Sequence, residues 1–180
     1  MVTPTYYDAC SLAYQAENRA PGCTTMAAHV GPQVDALMAD PLRSHYVSEL
    51  GVLEFRNTLA KLCRSTTPES AALGTDWMSA AVTELMGRIA RSEISVVRTE
   101  PRMYLHATSL VDLAARAGIA FGTWDTVHVL DAALLSRELG QPVELVTADK
   151  AFTKFTTHFV HFARFVQVVT LEDAGGASRV

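Results

Sequence analysis

Three acids stand where strands and helices meet. Asp125 sits at the start of an apolar helical repeat. Asp149 closes the apolar strand 143–146 in the run Thr147-Ala148-Asp149, and Asp8 follows one short strand and precedes a helical spacing. In open α/β sheets, ligands bind in the crevice outside the carboxyl ends of the strands, which is where such acids lie. A fourth acid, Glu54, lies on a helix away from its apolar stripe. Singly, each has an ordinary reading. Asp8 is a favoured helix N-cap, and Glu54 is a solvated surface charge. His128, three residues after Asp125, shares that helix face and reads as a packed or hydrogen-bonded histidine. Asp131 reads as structural or exposed.

The elements that position these acids follow from periodicity and punctuation. Residues 4–7 form a strand rich in β formers, Tyr6 and Tyr7, and 9–17 a helix. Residues 18–31, with Pro21, Gly22 and Gly31, read as a loop. A short helix, 33–39, then carries Pro32 in its first turn. Residues 45–47 form a strand. Ser48 caps the helix 49–63, whose stripe is Val52, Phe55, Leu59 and Leu62. A polar linker, 64–75, leads to the amphipathic helix 76–91, the strand 94–97 and the helix 101–117, stopped at Gly118. These two helices read as a small variable lobe. The helix opened by Asp125 is apolar nearly all round (Val127, Val129, Leu130, Leu134), as in a buried helix. Gly140 and Pro142 end it. A helix 151–159 and a strand 165–170 complete the chain. Such alternation predicts an α/β fold, a three-layer α/β/α sandwich around a parallel sheet of four or five short strands. Residues 1–171 read as one domain and 172–180 as a frayed tail.

Composition sets bounds. The chain has 180 residues, 49% hydrophobic and 19% charged, enough for a proper core and unlike a disordered segment. No apolar run approaches the roughly 18 residues of a membrane span. No secretory signal is read, and three scattered cysteines, Cys10, Cys23 and Cys63, suit a reducing cytoplasm. They lack the CxxC spacing of a cysteine zinc site. A formal net charge of −4 argues against a broad, sequence-independent duplex binder.

The stretch Asp125-Thr126-Val127-His128-Val129-Leu130-Asp131-Ala132, followed by Leu145-Val146-Thr147-Ala148-Asp149-Lys150-Ala151-Phe152, resembles the C-terminal half of a PIN domain, the nuclease module of VapC-type toxins. Asp8-Ala9-Cys10-Ser11 resembles the family's first loop, with Cys10 at the usual serine and Ser11 one step later. Ser48-x-Leu50-x-x-x-Glu54 resembles its second signature. The resemblance implies that Asp8, Glu54, Asp125 and Asp149 converge in one crevice. Gathered carboxylates repel one another, and a divalent cation resolves this. Hard oxygen ligands select Mg²⁺ or Mn²⁺. Asp8 and Asp149 would be the primary ligands. Glu54 and Asp125 would bind directly or through water, and Thr147 would orient an acid or a water. The implied function is a metal-dependent endoribonuclease acting on RNA, with an antitoxin protein as partner if it is a toxin. A mean hydropathy of +0.14 adds surface suited to a homodimer. The alternative is a PIN-like scaffold that binds RNA or protein without cutting.

Overall fold

A computed structural model describes residues 2–20, 22–64 and 73–171. Five strands lie parallel in one sheet, in the order β3-β2-β1-β4-β5. They are β1 (Thr3–Tyr7), β2 (Arg43–Ser48), β3 (Ser95–Val97), β4 (Val143–Thr147) and β5 (Val166–Thr170). Seven described helices connect them: α1 (Ala9–Asn18), α2 (Thr25–Ala39), α3 (Glu49–Arg64), α4 (Thr75–Ala90), α5 (Pro101–Arg116), α6 (Thr123–Leu139) and α7 (Lys150–His158). The α/β sandwich expected from alternation is the fold observed. The chain steps outward from β1 through β2 to β3, then returns to place β4 on the other side of β1. That reversal makes the β1/β4 junction the topological switch point, where crevices form in such sheets.

Successive residues of a strand point to opposite faces. Tyr7, Val47 and Val146 meet Leu12, Val34, Phe55, Leu59 and Leu85 on one side. Tyr6, Leu145 and Val166 meet Val129, Leu135, Phe152 and Phe155 on the other. Helices α1 to α4 therefore cover one face and α5 to α7 the opposite one. The helices expected to form a variable lobe are thus divided between the two layers: Ala81 and Leu85 of α4 join the first core, Ala114 of α5 the second.

One stretch departs from expectation more strongly. Part of the expected loop 18–31 is helix, because α2 begins at Thr25 and runs through Gly31 and Pro32. Thr24 caps it, its hydroxyl accepting from the Ala27 N–H at 3.2 Å. Proline removes one intrahelical hydrogen bond, a cost of about 3 kcal/mol in a helix interior. Here Pro32 and Ala28, four residues back, face solvent, so water can reach the freed carbonyl. The opposite side buries Ala27, Val30 and Val34. Gly31 meets α1 closely: a Cβ there would lie 2.4 Å from the Cβ of Asn18. The glycine read as a loop signal is a packing glycine. Within the expected linker 64–75, only Arg64 and residues 73–75 are described; Arg64 ends α3 and Thr75 begins α4. The expected tail 172–180 lies outside the described residues.

Candidate functional site

Asp8 is fixed by three donors. It follows β1 directly and caps α1, its Oδ1 accepting from the Ser11 N–H at 2.7 Å and also from the Ser11 hydroxyl. Its Oδ2 accepts from the Thr147 hydroxyl at 2.6 Å. Burial pushes its pKa up, and these hydrogen bonds hold it back. Thr147 ends β4 beside β1. Its hydroxyl also accepts from the Asp149 N–H at 3.0 Å. One threonine thus ties the first expected acid to the backbone of the last.

Asp149 is exposed and caps α7, accepting from the Ala151 N–H at 2.7 Å. Its carboxylate is held at the rim of the sheet by that helix rather than buried by the strand before it. Asp125 lies in the first turn of α6, where its Oδ2 accepts from the Gly122 N–H at 2.9 Å. Burial raises its pKa, and the charges of Asp149 and Glu54 add to the rise. Glu54 is not the free surface charge of its ordinary reading: its Oε2 lies 2.8 Å from Nε2 of buried His128.

The charges of the four acids, from separate elements, are all felt at Cys10. Its thiol is pushed up to about 12, first by burial and then by the charges of Asp8, Glu54, Asp125 and Asp149. Cys10 is therefore a neutral thiol at physiological pH. The first-loop hydroxyl comes from Ser11, whose single proton is shared between Asp8 Oδ1 and the Val146 carbonyl, 2.9 Å away.

Behind Glu54 runs a buried polar chain whose members sequence reading noticed only separately. Ser48 Oγ accepts from the Gly51 N–H at 2.9 Å. It also accepts from the Tyr6 hydroxyl at 2.8 Å. Tyr6 has no second proton, so His128 Nδ1, 2.7 Å from the phenol oxygen, must donate to it. His128 Nε2 faces the Glu54 carboxylate and also donates. Proton positions are assigned here from the network, and the network makes His128 an imidazolium. Burial opposes that charge, but the Glu54 hydrogen bond and the charges of Asp8, Glu54 and Asp131 outweigh it and raise the pKa. Asp131 lies beside this chain and its charge acts on His128. Its Oδ2 accepts from the Thr99 hydroxyl at 2.7 Å, while its Oδ1 is buried without a partner. Burial lifts its pKa to about 6. His128 is buried and hydrogen-bonded, as expected of it, and Asp131 is buried rather than exposed.

The donor chemistry suits a hard divalent ion. Asp125, Asp149 and Glu54 each use one carboxylate oxygen for the hydrogen bonds above, and the other forms none with the described residues. Asp8 has both oxygens engaged by neutral partners. Among the described residues, however, no three His, Cys, Asp or Glu side chains stand ready as a metal-holding group. Binding an ion there requires side-chain rotation.

The fold has a known counterpart. The chain is similar to one in the crystal structure of VapBC2 from Rickettsia felis bound to a DNA fragment from their promoter. The TM-score is 0.54, with 11% sequence identity, covering 92% of this chain and 98% of that one. At that identity the likeness concerns the fold, and it supports the PIN-like architecture. No protein-family model matches the chain, and no curated protein is similar to it. No described helix is long and apolar enough to cross a membrane.

Proposed function

We propose that this protein is a divalent-metal-dependent endoribonuclease, the toxin member of a toxin–antitoxin pair. The observation that carries the reading is that Thr147 ties Asp8 to the backbone of Asp149 at the β1/β4 switch point, with the charges of Glu54 and Asp125 felt at nearby Cys10. The fold likeness to a VapBC2 structure supports it. Asp8, Asp125, Asp149 and Glu54 would hold Mg²⁺ or Mn²⁺. Bound there, such an ion would lower the pKa of a water and stabilise a leaving phosphate-ester oxygen. Thr147 keeps Asp8 oriented toward the crevice. His128 fixes Glu54 and balances part of the negative charge. An antitoxin protein is the expected partner, and a homodimer the expected assembly.

The test is cleavage of a mixed RNA pool in Mn²⁺, with EDTA and Asp149→Asn as controls. Asparagine keeps an oxygen able to cap α7, so circular dichroism should be unchanged. Loss of the charge should cost several kcal/mol of transition-state stabilisation, on the order of a hundredfold or more in rate. Equal cleavage by the folded variant, or cleavage that survives EDTA, would refute the reading.

A second reading, a non-catalytic RNA- or protein-binding scaffold, is favoured by the absence of a ready three-ligand group among the described residues. Calorimetric titration with Mn²⁺ separates the two. The nuclease reading requires binding that Asp8→Asn weakens strongly; the scaffold reading requires none.

A further inference from the structure

A cavity of about 340 Å³ opens between α5, α6 and the turn that joins α7 to β5. Its volume lies near the lower end for small-ligand pockets, roughly 300 to 1,000 Å³, enough for one planar group and its substituents. Arg102, Arg137 and Arg164 line it together with His106 and His161, and no acidic side chain does. Its apolar wall includes Leu130, Leu134, Phe162 and Phe165.

This concentration of positive charge is notable in a chain of net charge −4. A second cavity holds three arginines too, but Arg19, Arg88 and Arg91 are paired there with Asp35, Glu84 and Glu93. In the first cavity only Arg102 has an acidic partner, Glu100, which lies outside the lining. Arg137 and Arg164 form no ion pair among the described residues. Arg164 instead lies over the ring of Phe165, 4.6 Å from its centroid.

We propose that this cavity binds one nucleotide of a single-stranded RNA. A phosphate suits the guanidinium rim, and a base face suits the aromatic wall. A duplex keeps its base faces stacked, so only a single strand can offer both. An acidic peptide would satisfy the rim and leave the wall unmatched. Arg137 lies twelve residues beyond Asp125 on α6, about 18 Å along the helix axis. At about 3.4 Å per stacked nucleotide, that is roughly five nucleotides. The proposal rests on the nuclease reading, since it makes the cavity a remote grip on the strand being cut.

Fluorescence anisotropy in EDTA, with labelled unstructured RNAs of about 4 and about 12 nucleotides, measures binding without cleavage. The longer RNA should bind wild type more tightly. Arg137→Ala with Arg164→Ala should weaken that binding at least tenfold and lower the salt slope by about 0.7, the value for one phosphate neutralised on a single strand. Arg19→Ala with Arg91→Ala, the same charge change at the second cavity, should do neither. No binding of the longer RNA by wild type, equal losses in both double variants, or preferential binding of a Glu/Leu peptide would each overturn the proposal. Normal RNA binding by Arg137→Ala/Arg164→Ala beside metal-dependent cleavage would refute this cavity and leave the nuclease standing. Cavity-dependent binding with no cleavage in Mn²⁺ would refute the nuclease and leave an RNA site.

Discussion

The unpartnered oxygen of Asp131 makes a quantitative prediction. The carboxyl is buried, Oδ1 has no donor, and burial lifts the pKa from its ordinary 3.8 to about 6. An acid whose pKa is higher in the folded than in the unfolded state binds more protons when folded. Stability then falls as pH rises between the two values. The full shift corresponds to about 3 kcal/mol, of which about 2 kcal/mol falls between about pH 4.5 and about pH 7.5. Asp131→Asn removes this titration. It also strands a buried amide N–H, at a pH-independent cost of about 1 to 3 kcal/mol. The variant should therefore be less stable than wild type in acid and recover by about 2 kcal/mol relative to it at about pH 7.5. Urea unfolding at both pH values reads this directly. The double difference cancels titrations common to the two proteins, those of Asp8 and Asp125 included. A gap between variant and wild type that stays constant with pH would refute the assignment of the penalty to Asp131.

Other consequences are simpler to read. Gly31→Ala should destabilise by about 1 to 3 kcal/mol in urea unfolding, despite alanine's better helix propensity, because the new methyl meets Asn18; a gain in stability would show that α1 and α2 can separate freely. Tyr6→Phe should cost about 1 to 3 kcal/mol by leaving the His128 Nδ1–H buried without an acceptor, and an unchanged urea midpoint would argue against the imidazolium chain. Excess Mn²⁺ should raise the melting temperature at neutral pH, by an amount equivalent to about 2.7 kcal/mol at one hundred times Kd; an equal rise in Asp8→Asn would place the ion elsewhere.

How much of this was legible in sequence depends on the range of the interaction. The stop of α6 was readable because Gly140 adopts the left-handed conformation, φ 67°, that glycine takes most readily. The start of α1 was readable because Asp8 is a cap, and a cap acts within three residues; Asp149 caps α7 in the same way, although in sequence it reads as the end of a strand. The first turns of α2 were not, because Gly31 and Pro32 act locally as breakers while the burial of Ala27, Val30 and Val34 that overrides them is tertiary. The start of β2 at Arg43 was hidden for the same reason: it pairs with Thr3, forty residues away. The network around Tyr6, Ser48, His128 and Asp131 joins three segments, and no single window contains more than two of its members.

The two readings of the strand-end acids, cap or ligand, are not exclusive. A cap uses one carboxylate oxygen, as in Asp149, and fixes where the second can point. Capping is therefore a way to preorganise a ligand at the switch point without a dedicated scaffold. Asp8 differs because Thr147 engages its second oxygen as well. A divalent ion reaching Asp8 Oδ2 would displace only a neutral hydroxyl, and the freed Thr147 hydroxyl would keep the Asp149 N–H as a donor. His128 supplies the opposite balance. It holds Glu54 from the interior with a positive charge, which moderates the repulsion among the four acids before any ion arrives. On the proposed reading the crevice would fold with its acids assembled, and its affinity for a cation would be set by how easily Thr147 and His128 release what they hold.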